Sequence, residues 1–186
     1  MTIDLPAALR RIKPEKHLEQ LAPRPLASLV AASAIPAIGR PSLLLDTNAY
    51  IMSAAGTLPD AAAGLMDRGL LFHCSVCITE LTTGVANADP AQPGWPAVRS
   101  HYGDLIASLP ASRVLTPDAQ IWTEAGLIAG TLARTQRFQR HQRKECLNDA
   151  LIYLTAASFG LPVLTADRDD FDLIQQLAPQ GAFVHF

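Results

Sequence analysis

The sequence predicts an α/β fold in which helices pack around a mainly parallel central sheet, preceded by a proline-rich N-terminal extension. Two observations lead there. From Ser42 onward, short apolar runs such as Leu43-Leu44-Leu45 and Pro162-Val163-Leu164-Thr165 alternate with longer amphipathic or alanine-rich segments, as strands alternate with helices in such folds. Before that point the composition is different: residues 1–41 hold six prolines and six basic against three acidic residues, whereas the rest holds nine basic against fourteen acidic. A length of 186 residues with 49% hydrophobic content suits one compact domain, residues 42–186, with an arm, residues 1–41, rather than two domains.

In the arm, short amphipathic helices are expected at Ala7 to Ile12 and Leu26 to Ala34, bounded by prolines that remove donors and clash with helix interiors. Leu43 to Leu45 reads as a buried first strand ending at Asp46, and Leu70 to Cys74 as a second. Ser75 then stands where a cap would open a helix through Glu80 toward Gly84. A helix from Trp95 to Leu109 and a short strand at Arg113 to Leu115 precede a long helix starting near Thr116-Pro117-Asp118, where proline fits a first turn. Asn148 to Phe159 reads as a helix stopped by Gly160, and Pro162 to Thr165 as a brief strand. Asp170 to Leu177 and Ala182 to His185 supply the final helix and strand.

The totals exclude several classes. A formal charge of -2 gives no overall basic signature, so any nucleic-acid contact has to come from local charge distribution. Cys74, Cys77 and Cys146 are too few for a disulfide scaffold and fit a reducing, cytoplasmic compartment. Cys74 and Cys77 form C-x-x-C without a second ligand pair at zinc spacing, which favours core packing. No apolar run is long enough for a membrane span, and the N-terminus lacks the apolar segment of a secretion signal.

The acidic residues carry the chemistry. In open α/β sheets ligands sit beyond the carboxyl ends of the strands, where Asp46 and Asp167 fall. Glu80 and Asp149 lie within apolar helical stretches, VCITEL and CLNDALIYL, where an unpaired carboxylate is costly and asks for a cation. An oxygen-rich set of four suits a hard divalent ion such as Mg²⁺ or Mn²⁺, with one or two ions equally compatible. Each residue also has a plain structural reading: Asp46 can cap a turn, Asp149 can sit near a helix N-terminus, and Asp167 opens an acidic run with Asp169, Asp170 and Asp172.

Taken in order, LLLDTNAYI, SVCITELTTG and NDALIYLTAASFGLPVLTADRDDF resemble the PIN-domain nucleases, specifically the toxins of VapBC-type toxin–antitoxin pairs. The likeness spans about residues 42–186. It implies a three-layer α/β/α PIN-like fold, a metal-dependent endoribonuclease with RNA as substrate, an antitoxin partner and a homodimer. Position by position, it assigns catalysis and metal binding to Asp46, Glu80, Asp149 and Asp167, with Asp149 opening a late helix. Thr47 and Asn48 complete a D-T-N signature and, with Thr165 and Asp170, take auxiliary positions.

Five of the nine basic residues after position 41 fall in one stretch: Arg134, Arg137, Arg140, Arg143 and Lys144, with His141 among them. On a helix, Arg137, Arg140, His141 and Lys144 share a broad face that can track RNA phosphates; a solvated helix face is the plainer reading. Phe138 and Tyr50 are the nearby candidates for base stacking, and both suit the core equally. Two other functions compete with the nuclease: a catalytically silent PIN-like RNA- or protein-binding module, and a phosphatase with Asp46 as nucleophile. The last is disfavoured because no carboxylate stands two residues after Asp46. The arm has room for four roles, wrapping the domain, dimerisation, docking on a partner or, through its net +3 charge, extending an RNA surface, and its removal is expected to leave the core folded.

Overall fold

The computed structural model describes residues 3–186. Five strands form one all-parallel sheet in the order β3-β2-β1-β4-β5: β1 (Ser42–Leu45), β2 (Leu70–Cys74), β3 (Val114–Leu115), β4 (Pro162–Thr165) and β5 (Ala182–His185). Leu43, Leu44 and Leu45 are each at most 1% exposed although successive strand residues face opposite ways, so both faces of the sheet are covered. This gives three layers, with helices α2 (Thr47–Ala54), α3 (Asp60–Arg68), α4 (Ser75–Asn87), α5 (Trp95–Ser108), α6 (Ala119–Thr135), α7 (Arg140–Ser158) and α8 (Arg168–Leu177) around the sheet. The core runs through the central strands to Ile128 of α6, Tyr153 of α7 and Phe171 of α8.

The connections fix where a site can form. From β1 the chain moves through α2 and α3 to β2 on one side; from β4 it moves through α8 to β5 on the other. Adjacent parallel strands whose connections leave in opposite directions open a crevice at their carboxyl ends. Here that crevice lies between β1 and β4, registered by Leu45 opposite Leu164.

Several elements differ from the sequence reading. Leu26 to Ala34 is not a helix but two single 3₁₀ turns, Leu26–Ser28 and Ala32–Ala34. Between them the backbone is extended, because Ala31 forms a parallel bridge with His185, whose N–H donates to the Val30 carbonyl at 3.0 Å; the open edge of β5 outweighs local helix formation. Ser75 is the first residue of α4 rather than its cap, which is Cys74 with no side-chain capping bond. Pro117 lies outside α6, whose cap Asp118 accepts from the Ile121 N–H at 2.8 Å. The last helix before β4 begins at Arg140, not Asn148, on a reciprocal Gln139–Gln142 capping box.

The N-terminal segment contributes to the core. Helix α1 (Leu5–Ile12), capped by Asp4 and ended by Lys13 at φ 51°, buries Ala8 and Ile12. Its Arg11 meets buried Glu124 of α6 at 2.5 Å. Further along, Arg24 grips Asp172 of α8 through its backbone N–H at 2.7 Å and its Nε at 2.5 Å, and Asp172 is fully buried.

Candidate active site

Asp46 sits at the carboxyl end of β1 and caps α2, because the strand ends there and its side chain accepts from the Thr47 N–H at 2.7 Å. Its other oxygen accepts from Asn48 Nδ2 and from Thr165 Oγ1, both at 2.7 Å. Asn48 also donates to Asp167 at 2.8 Å and accepts from the Ala166 N–H at 3.0 Å, tying the end of β1 to the end of β4. Thr165 in turn accepts from the Asp167 N–H at 2.9 Å. The D-T-N tripeptide is thus a bracket: the aspartate is held by three donors, the asparagine spans two carboxylates, and the Thr47 hydroxyl donates to Glu80.

Glu80, in the second turn of α4, is oriented from two sides, by Thr47 and by Asn148 of α7, whose Nδ2 donates at 2.7 Å. Asn148 is not among the sequence-derived candidates; its signal is the polar Asn-Asp pair inside an apolar helix. Asp149 does not open a helix. It lies midway along α7, so the helix-end dipole that the sequence reading allows it is absent.

The electrostatics tie these residues together. Asp46 is 2% exposed, and burial pushes its carboxyl up to about 7, against the lowering influence of the Thr165 and Thr47 hydrogen bonds and with further raising by Asp167 and Glu80. Asp149 is raised well above the carboxylate range, first by burial and then by the charges of Asp46, Asp170, Glu80 and Asp167. One carboxyl therefore feels all three other candidates and Asp170. None of the ion pairs among the described residues, Arg11–Glu124, Arg24–Asp172 and Arg168–Asp169, supplies a cation to Asp46, Glu80, Asp149 or Asp167.

A concentration of carboxylates without a basic partner fits a divalent cation. The donor set is all oxygen, which matches Mg²⁺ or Mn²⁺. Among the described residues, no three acidic, histidine or cysteine side chains are close enough as they stand to enclose an ion. Asp46, Glu80 and Asp167 are each turned toward donors among Thr47, Asn48, Asn148 and Thr165.

The basic stretch is not one helix face. The chain turns at Gln136–Arg137, with Arg137 at φ 57°, and a new helix starts at Arg140, so the face expected for Arg137, Arg140, His141 and Lys144 is broken. Arg134 is on α6 and donates to the carbonyls of Pro14 and His17, both at 2.9 Å, which commits it to the N-terminal segment. Arg137, Arg140, Arg143 and Lys144 are all exposed. Tyr50 is buried with its hydroxyl 2.6 Å from His73 Nδ1, so it offers no stacking face, whereas Phe138 is half-buried against the core.

Fold and site together define a doubly wound parallel α/β protein with a group of electrostatically coupled carboxylates near the switch point of its sheet. The PIN domain family model matches residues 43–177, and the chain belongs to that family, whose members are generally nucleases. Solved structures with the same fold include VapBC2 from Rickettsia felis bound to a promoter DNA fragment, at 16% identity and TM-score 0.54, covering 78% of this chain and 98% of that one. FitAcB from Neisseria gonorrhoeae matches at 21% identity and TM-score 0.56, covering 77% and 96%. VapBC-5 from Mycobacterium tuberculosis, of the VapBC family of toxin–antitoxin systems, matches at 24% and 0.52, covering 78% and 98%. Comparison with curated proteins gives no match. Residues 1–42 lie outside the family match. Among the described residues no helix is long and apolar enough to cross a membrane.

Proposed function

We propose that this chain is a Mg²⁺- or Mn²⁺-dependent endoribonuclease acting in the cytoplasm as the toxin of a toxin–antitoxin pair. The observation that carries the catalytic part is the placement of Asp46, Glu80, Asp149 and Asp167 in one electrostatically coupled group at the β1/β4 crevice, without a basic side chain paired to any of them among the described residues. Asp46 and Asp149, both raised by burial, are the residues to which a cation gives most. Glu80 and Asp167 complete the set, with Thr47, Asn48, Thr165 and Asp170 as auxiliary positions.

In this reading the bound ion activates water and neutralises phosphate charge. The protein's own part is orientation. Asn48 and Thr165 hold the Asp46 carboxylate, Thr47 and Asn148 hold Glu80, and Asn48 fixes Asp167. Burial raises the Asp46 carboxyl in the metal-free protein, and a cation against it would offset that cost and hold it as a carboxylate ligand. Arg137, Arg140, Arg143 and Lys144 supply phosphate contacts beside the pocket, and Arg134 contributes where the N-terminal segment leaves it accessible.

The partner part of the proposal, an antitoxin and a homodimer, rests on the fold shared with VapBC complexes. The test is cleavage of mixed single-stranded RNA with Mg²⁺ or Mn²⁺ and with EDTA. Metal-dependent fragments support the nuclease; RNA binding without turnover under all conditions makes the chain a silent binding module.

A further inference from the structure

A cavity of about 590 Å³ opens beside the carboxylates, between α4, the Thr116-Pro117 segment, α6 and α7. Its size is that of a small-ligand site, commonly about 300–1,000 Å³. Glu80 and Asn148 line it, so the cavity and the acidic pocket share a wall, and anything held in it is next to the reacting centre. Its α6 wall carries Trp122, which is 50% exposed and takes part in none of the aromatic or cation–π pairs among the described residues. A large apolar ring left half in water at a cavity wall is a surface awaiting a flat partner.

The polar groups narrow the ligand. The hydroxyls of Thr79 and Thr83 also line the cavity, and each donates to a carbonyl of its own helix, at 3.0 and 2.7 Å, leaving its oxygen free to accept from an exocyclic amino group. Lys144 and His141 stand on α7, and no ion pair among the described residues uses Lys144. Exposed Arg140 precedes His141 on the same helix, whereas Arg143 faces α6 on the other side and donates to the Phe138 carbonyl, so the cations of the cavity mouth are His141 and Lys144 with Arg140 next to them. A stacking face, acceptors within and cations beyond fit a nucleotide with its base inside and its phosphate outside.

We propose that this cavity is the binding subsite for one unpaired nucleobase of the RNA substrate, stacked on Trp122 with the adjoining phosphate against Lys144 and His141. The inference rests on the nuclease reading and makes it specific: the substrate is single-stranded next to the scissile phosphate, because a base in a duplex cannot leave its stack to enter a three-helix cavity without the cost of unpairing.

The test uses the full chain carrying Trp95→Phe, so that Trp122 is the sole indole, and Asp149→Asn to prevent turnover, titrated with an end-labelled mixed-sequence RNA octamer. The subsite predicts saturable quenching of Trp122 fluorescence that follows the same curve as oligonucleotide anisotropy, and little quenching by the same sequence in duplex form. Trp122→Ala weakens binding about tenfold, in keeping with the worth of one stacked base, and Trp122→Phe recovers most of that loss. Circular dichroism and melting of both Trp122 variants match the parent. RNA binding without quenching, or wild-type affinity in a folded Trp122→Ala protein, overturns the subsite, as does failure of the octamer to bind. Cleavage measured separately keeps the two readings apart. Quenching with no metal-dependent cleavage by the Asp149-containing protein refutes the nuclease and retains the subsite; cleavage whose KM ignores Trp122→Ala refutes the subsite and retains the nuclease.

Discussion

Replacing Asp46 with Asn should make the metal-free protein more stable at pH 8, an advantage that disappears by pH 4.5. The Asp46 carboxyl is buried and raised from an ordinary 3.8 to about 7. The folded state therefore binds this proton more tightly than the unfolded chain, so stability is lost as pH rises from about 4 through about 7. At about 1.36 kcal/mol per pH unit, that interval corresponds to a loss of about 4 kcal/mol. Asparagine avoids it but has its own cost. Its Oδ1 still accepts from the Thr47 N–H, whereas its Nδ2 faces Asn48 Nδ2 and the Thr165 hydroxyl, both donors to the aspartate, a mismatch of about 1–2 kcal/mol. The net gain for Asp46→Asn at pH 8 is about 2–3 kcal/mol, or roughly 4–12 °C in Tm for a chain of this size. Urea unfolding and melting in EDTA from pH 4.5 to 8.5 would follow the difference between the two proteins. Mg²⁺ at pH 8 should narrow the gap by stabilising the wild type more than the variant. A difference that is flat with pH, or one that favours the wild type more as pH rises, refutes the argument that Asp46 carries an uncompensated buried charge.

Other outcomes follow from the same geometry. Arg24→Ala should cost about 3–5 kcal/mol in urea unfolding, because it strands fully buried Asp172, and Asp172→Asn in the same chain should recover a large part. Deleting residues 1–40 should cause a similar or larger loss of cooperative stability, since it removes Arg24, Ile12 and the Ala31 bridge together; unchanged melting would show that 42–186 stands alone as a domain. Asn48→Ala should destabilise by about 1–3 kcal/mol and depress cleavage, as Asp46 and Asp167 both lose a donor, with kcat the quantity to follow. Replacing Arg140, Arg143 or Lys144 with Ala should reduce the log–log salt slope of RNA binding by about 0.7 for each phosphate that is no longer neutralised, whereas Arg134→Ala should alter stability more than slope.

Whatever depends on local pattern is legible in the sequence. Leu43-Leu44-Leu45 followed by Asp46, and Val163-Leu164-Thr165 closely followed by Asp167, announce buried strands with carboxylates at their ends, and the parallel sheet then places both at one crevice. The family resemblance supplies the grouping of Glu80 and Asp149 with them. The bracket holding these residues is less visible: Asn148 to Glu80 spans 68 residues and Asn48 to Asp167 spans 119, and no periodicity reveals such pairs. Helix limits are misread where tertiary contacts outweigh propensity. Arg137 in a left-handed turn separates α6 from α7, and the β5 edge draws Ala31 out of helix. From its prolines and composition the segment before Pro41 reads as an arm whose removal leaves the core folded. Its anchors, Arg11 to Glu124 and Arg24 to Asp172, span 113 and 148 residues. Trp122 carries no signal for the same reason, since its cavity exists only once α4, α6 and α7 meet.

Whether the proposed carboxylate site is a metal-dependent ribonuclease centre is decided by cleavage of mixed single-stranded RNA by wild type and by Asp149→Asn, each with Mn²⁺ or Mg²⁺ and each with EDTA. Fragments are expected only from the wild type with metal, with the variant folded and still binding RNA. Equal cleavage by a folded Asp149→Asn protein, or undiminished cleavage in EDTA, would contradict that proposal.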